Sequence, residues 1–199
     1  MRIGVTGIFA SGKGTVCELF REFGAEVIDT DIVAREIMEP GQKGLESLIS
    51  HFGKEFLDEN GSLKRREFGV YVFAEKERVD LLNSITHPLI LDEVKRRSSG
   101  GCIYMVNVPL LFESGYDRIM DKNIVVTAEN DQVLDRGVER DGISKEEIIS
   151  RLNHQIPLNE KIKLADYIID NSGSLENTRR QVTNLWNILN QNQIQVNKR

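Results

Sequence analysis

Cysteine is scarce. Cys17 and Cys102 are the only two in 199 residues, and they form neither a CxxC pair nor a Cys/His ligand spacing. Disulfides and a structural zinc are therefore excluded as sources of stability, and a reducing compartment is the simplest setting. Long apolar runs are also missing. No window approaches 18 uninterrupted apolar residues, so no membrane span is expected. The opening MRIGVTGIF has one basic residue and then turns glycine-rich, without an apolar stretch of leader length or a small-residue cleavage site. Export is not expected, and a cytoplasmic location follows. There is no basic excess either: 26 Lys and Arg stand against 31 Asp and Glu, a formal net charge of −5. That balance argues against a general nucleic-acid binder, which needs a basic face, but leaves room for a locally basic phosphate pocket. Internal repeats and low-complexity linkers are absent.

What is present is ordinary globular composition, 40% hydrophobic and 29% charged, too short for two full-sized domains. One compact core with insertions is expected. Short apolar runs at 2–6, 26–28, 102–108, 123–127 and 167–169 suit buried parallel strands and alternate with helical periodicity, which predicts an α/β three-layer fold on a five-stranded parallel sheet. Core segments are expected at about 1–31, 98–128 and 164–192. From 32 to 97 only helical spacing appears, broken by Glu-Pro-Gly at 39–41, by Asn-Gly at 60–61, and by Pro88, which is expected to kink or break a helix after His87. A second helical segment runs from about 129 to 163, with Ser144 and Glu147 in capping-box spacing. Val182, Leu185, Trp186 and Leu189 place one face of a last helix on the sheet, and the polar tail QNQIQVNKR is expected to fray.

Gly7 to Thr15, GIFASGKGT, follows a strand, opens a helix and satisfies the GxxxxGK part of the Walker A pattern. Backbone N–H groups of such a loop curl around a β-phosphate, the helix N-terminus adds its dipole, and the lysine reaches the β/γ oxygens. Ala10, Ser11, Gly12, Lys13, Gly14 and Thr15 are thus candidate ATP-binding residues, with Lys13 also catalytic. Gly14 stands where most such loops place the hydroxyl that holds Mg²⁺, and Thr15 comes one residue late as a candidate ligand.

The second strand ends in Asp29-Thr30-Asp31. Phosphoryl transfer to an alcohol needs a carboxylate to accept the hydroxyl proton and a group to hold Mg²⁺. Asp31 suits the first role and Asp29 the second, while either can instead cap the helix that begins nearby. Arg136 and Arg140 share a helix face and Arg151 lies on the following helix. They can meet charge on the transferring group, or simply form a solvated face with Asp135, Glu139 and Asp141. His87 can contact a substrate phosphate or cap a break, Glu113 can orient substrate or metal or serve a turn, and His51 and His154 read as surface or satisfied core residues.

In combination these motifs resemble the dephospho-CoA kinase family: the P-loop, the VIDxD strand end with Val33-Ala34-Arg35, the EPG turn, His-Pro, PLLFE, Arg-x3-Arg-Asp at 136–141, Arg151 with Gln155, and Ala165-Asp166 leading to Asn171-Ser172-Gly173-Ser174. The resemblance implies a P-loop kinase with a helical CoA-binding insertion and a helical lid, ATP and Mg²⁺ as cofactors, and dephospho-CoA as the acceptor. It implies Asp31 as base, and Arg140 as a catalytic and, with Arg136, phosphate-binding cation. Asn171 and Ser174 would lie near adenine, and Asp31, Arg35, His87, Leu111 and Glu113 at the substrate. A monomer or weak homo-oligomer is expected. The loop departs from the family's usual GGIGSGKST at Ile8, Phe9, Ala10 and Gly14. Two alternatives stay open: a nucleoside monophosphate kinase, which the GKGT loop favours, and a non-catalytic nucleotide-binding module. No NKxD-like guanine motif and no acidic end on the 102–108 strand support a GTPase or translocating ATPase.

Overall fold

The computed structural model describes residues 1–196. In chain order the elements are β1 (Arg2–Gly7), α1 (Lys13–Glu22), β2 (Glu26–Asp29), α2 (Thr30–Glu36), α3 (Lys43–Phe52), α4 (Arg65–Phe73), α5 (Lys76–Arg97), β3 (Tyr104–Asn107), β4 (Lys122–Thr127), α6 (Asn130–Asp141), α7 (Lys145–Asn153), α8 (Leu158–Leu164), β5 (Tyr167–Asp170) and α9 (Leu175–Val196). The described residues divide into two compact units, one made of residues 1–28 and 100–196 and the other of residues 29–99.

The first unit carries a five-stranded sheet in the order β2-β3-β1-β4-β5, and β1 pairs in parallel with both β3 and β4, as β4 does with β5. Strands buried on both faces read as continuous apolar runs, which is why Ile3, Val5, Met105, Ile124 and Val126 are all enclosed. Phe20, Val16 and Leu19 of α1 and Val182, Leu185 and Leu189 of α9 close one face over them, with Trp186 against the rings of Phe20 and Phe23. β3 is shorter than the 102–108 run. α9 continues to Val196, so the expected fraying does not begin at Gln191, and the last three residues of that tail lie outside the described ones.

In the second unit Leu45, Leu48, Phe52, Leu63, Phe68 and Val72 form the core, and the Phe68 ring meets Phe52 and Phe56 edge-on at 5.2 and 5.3 Å. Gly44 lets α3 approach the end of α2, because a Cβ there would stand 2.3 Å from the Ile37 carbonyl oxygen. Pro88 does not break α5. The helix runs 22 residues through it, with Thr86, Ile90 and Val94 buried along its length. The loss of one backbone donor is a local cost that this packing outweighs.

One buried ion pair fastens the α7–α8 segment to the chain leaving β3. Lys161 is fully enclosed, with Nζ 2.8 Å from Glu113 Oε1, and that same oxygen accepts the Ile156 N–H at 2.9 Å. Lys161 also donates to the Pro109 carbonyl at 3.4 Å. Removing one partner of such a pair strands the other charge away from water. Lys161→Ala is expected to cost about 3–5 kcal/mol in denaturant unfolding, and Lys161→Met combined with Glu113→Leu to recover most of it. A loss below about 1 kcal/mol in Lys161→Ala would show that the pair does not hold this segment.

Candidate active site

The phosphate-loop region begins where β1 ends at Gly7 and closes where α1 begins at Lys13. Three residues in it have positive φ, Gly7 at 158°, Ala10 at 54° and Gly12 at 91°. Glycine is required at 12 for a second reason: a Cβ there would lie 2.0 Å from Asn171 Nδ2. Ala10 tolerates the left-handed region at a cost of about 1–2 kcal/mol, and its methyl is buried with Ile8, Ala128, Val133 and Ile148. The loop is pinned from within by the Ser11 N–H on the Ile8 carbonyl, 3.2 Å. Lys13 is folded back on the loop, its Nζ donating to the carbonyls of Ile8 at 2.8 Å and Gly7 at 3.4 Å. Its charge is thus held over the loop's own oxygens.

Asn171, at the end of β5, closes the arrangement from the other side. Its Nδ2 donates to the Ser11 carbonyl at 2.9 Å, its Oδ1 accepts from Thr178 Oγ1 at 2.9 Å, and its carbonyl accepts from Arg136 at 3.1 Å. Gly12, Thr15, Arg136, Asn171, Gly173 and Leu175 line a cavity of about 220 Å³. Arg136 leaves one terminal nitrogen, Nη1, buried and without a hydrogen-bond partner, and it lies 3.9 Å from where a Cβ on Gly12 would stand. A buried guanidinium nitrogen with no acceptor, beside a helix N-terminus, suits an anionic group and nothing apolar. The nucleotide's phosphates fit this chemistry. Thr15 is exposed on the same cavity, and a side chain added at Gly14 would meet nothing within 4 Å. Among the described residues no cluster of three or more His, Cys, Asp or Glu could hold a metal. Mg²⁺ characteristically keeps several waters and shares phosphate oxygens, so the open mouth of this loop fits it better than an all-protein cage would.

Other expected residues are placed as follows. Arg140 is exposed on α6, paired to the neighbouring Asp141 through two bonds of 2.8 and 2.7 Å; the Arg140 guanidinium holds that carboxyl below the usual carboxylate range. Arg151 pairs with Glu147 at 2.9 Å. Ser174 lies outside the cavity, and its Oγ accepts the Asn177 N–H at the start of α9. Glu113 is committed to Lys161. Leu111 is fully buried, its Cδ2 2.9 Å from where a Cβ on Gly4 would stand, so it is a core residue with no surface to offer a substrate. Sequence reasoning missed Thr178 and the contacts of Phe9.

The second unit holds the remaining candidates. Asp29 caps α2, its Oδ1 accepting from the N–H groups of Asp31 at 2.9 Å and Ile32 at 3.3 Å. Asp31 is exposed in the first turn of α2 and Arg35 exposed in its last. His87 is half-buried on α5, and burial lowers its pKa below the ordinary imidazole value, so the ring is neutral at physiological pH. His51 and His154 are exposed, each with Nδ1 against a carbonyl four residues earlier.

Comparison with known proteins shows the family. The dephospho-CoA kinase family model matches residues 1–177. A dephospho-CoA kinase of Carboxydothermus hydrogenoformans is 42% identical over 185 residues, covering 90% of each chain. Among solved structures, TT1252 of Thermus thermophilus superposes with a TM-score of 0.79 at 32% identity, covering 95% of this chain and 97% of that one. The dephospho-CoA kinase of Campylobacter jejuni does so with a TM-score of 0.68 at 32% identity, covering 92% and 94%. With its phosphate loop and five-stranded parallel sheet, this chain belongs to the dephospho-CoA kinase family.

Proposed function

We propose that the chain transfers the γ-phosphoryl group of ATP to the ribose 3′-hydroxyl of dephospho-CoA, giving coenzyme A and ADP, the last step of coenzyme A synthesis. The observation that carries the reading is the cavity over the start of α1, where the buried Arg136 Nη1 lacks an acceptor beside Gly12. Catalysis of this kind is chiefly positioning and charge stabilisation. Lys13 would exchange the Ile8 and Gly7 carbonyls for the β/γ oxygens. Residues 10–15 would cradle the phosphates, through N–H groups other than that of Ser11, which stays on the Ile8 carbonyl, and Arg136 and Arg140 would meet charge on the transferring group from a lid of about residues 129–163. Asn171 would border the adenine side through the cavity it lines, with Ser174 beyond it.

Asp31 would accept the hydroxyl proton. Arg35 would bind the acceptor's phosphates by charge, and neutral His87 would bind as a hydrogen-bond partner, on a CoA-binding insertion of about residues 32–97. Glu113 would order the acceptor indirectly, through the segment that it holds to Lys161. Mg²⁺ would supply neutralisation at the β/γ oxygens when bound; Thr15 on the loop is one candidate to hold it, and Asp29, which caps α2, is a separate candidate. Two cysteines in 199 residues, without a CxxC spacing, support a reducing, cytoplasmic setting, and a monomer or weak homo-oligomer is the working state.

ATP-dependent turnover of dephospho-CoA, measured against AMP, CMP and UMP as rival acceptors, tests the assignment; preference for a nucleoside monophosphate would overturn it. Lys13→Ala is expected to lose well over nine-tenths of kcat, more than about 1.4 kcal/mol of transition-state stabilisation, while its unfolding midpoint stays close to the parent's. Retention of more than about a tenth of the turnover would remove Lys13 from the mechanism. Gly14→Ser is expected to lower the Mg²⁺ concentration needed for half-maximal rate, because the open position admits a hydroxyl where other P-loops carry one. Superimposable Mg²⁺ titrations would show that the native loop lacks nothing.

A further inference from the structure

Phe9 is set in the phosphate loop itself, and its surroundings on α6 and α7 are shaped to it. The guanidinium carbons of Arg140 and Arg151 lie 5.3 and 5.4 Å from its ring centroid, within cation–π range. Its backbone N–H donates to Gln155 Oε1 at 3.0 Å, so the same residue is fastened to the chain just beyond α7. Gly137 of α6 makes room for the ring: a Cβ there would stand 2.9 Å from Phe9 Cε1 and 2.7 Å from Ile148 Cδ1. Ring and backbone thus have separate partners, all on the helical segment that carries the arginines.

The charges around the ring are paired within their own helices. Each arginine has one carboxylate from its own helix, Asp141 for Arg140 and Glu147 for Arg151, and both sit largely in solvent. Left to these partners alone, long exposed side chains sample many rotamers. An aromatic face restricts them without spending their charge, since the ring attracts a cation by its quadrupole and cannot neutralise it. A carboxylate in the same place would do the opposite.

We propose that Phe9 is a positioning residue for phosphoryl transfer: the phosphate loop carries its own aromatic platform, which holds Arg140 and Arg151 beside the loop with their charge available to the transferring group. The inference deepens the reading of Arg140 given above, extends it to Arg151, and rests on it. It assigns a purpose to a residue at which the loop departs from the family's usual sequence.

Three measurements test it. Phe9→Leu keeps an apolar side chain and removes the ring face; it is expected to lower kcat about five- to tenfold while KM for ATP moves less than about twofold. Phe9→Tyr keeps the face and is expected to stay within about twofold of the parent, a rescue that a purely space-filling role does not require. In the ligand-free protein, trypsin is expected to cut the α6–α7 segment about fivefold faster in Phe9→Leu than in the parent, because the undocked segment opens more often. A loss in Phe9→Leu that is just as large when Arg140 and Arg151 are both alanine would overturn the proposal and leave the arginines' own role standing. Unchanged kcat in Arg140→Ala with Arg151→Ala would overturn the underlying reading instead, and the proposal with it. Equal rates and equal cleavage in Phe9→Leu and the parent would show that the ring positions nothing.

Discussion

The carbonyl of Ser11 is the point on which the phosphate loop depends. In a loop that presents its N–H groups to a ligand, the carbonyls must turn the other way, and a buried carbonyl needs a donor. Asn171 supplies it from 160 residues away, and Thr178 fixes the orientation of that carboxamide by donating to its oxygen. Gly12 must then be glycine, because the Asn171 amide occupies the space of a side chain. Arg136 is placed by the Asn171 carbonyl, which leaves its other terminal nitrogen buried and without an acceptor. One side chain thereby links the end of β5, the start of α9, the loop and the first arginine of α6.

Against that fixed frame, the cations are held provisionally. Lys13 rests on the carbonyls of Ile8 and Gly7, and Arg140 and Arg151 rest on carboxylates of their own helices and on the Phe9 ring. Each of these partners is weaker than a phosphate in a site shielded from water, so each cation can be exchanged to the nucleotide without rebuilding the loop. The contrast with Lys161 is instructive. That lysine is completely enclosed and its carboxylate partner also takes a backbone N–H, so it is structural and unavailable to a ligand.

Much of this was legible in the sequence, for physical reasons that also explain what was not. Strands enclosed on both faces leave uninterrupted apolar runs, and GxxxxGK between a strand and a helix constrains backbone and charge together, so the sheet and the loop could be read from local pattern. The Asp29 cap was foreseen as an alternative because Asp-x-Asp at a strand end satisfies either a helix or a ligand, and the sequence does not say which. The break expected at Pro88 does not occur, because the rule for proline counts one lost donor and not the packing of Ile90 and Val94 that carries α5 past it. Leu111 looked like a site residue from its motif, yet only the tertiary structure reveals that the space above Gly4 must be filled. Thr178 and the partners of Phe9 left no local signal, since each contact joins segments more than 100 residues apart except the Thr178–Asn171 pair, whose spacing of seven is unremarkable within a loop and helix start.

The central claim is that the protein's own side chains shape the phosphate loop before nucleotide arrives. Amide hydrogen exchange of the Phe9 and Ser11 N–H groups in the ligand-free protein tests it most directly, comparing the parent with Asn171→Ala. Loss of that carboxamide strands the Ser11 carbonyl, at a cost of about 1–3 kcal/mol, so exchange at Ser11 is expected to quicken about tenfold or more and to slow again when ATP is added. Equal protection at both amides in the two proteins would contradict the account, since the loop would then hold its shape without the residue on which everything around it was argued to rest.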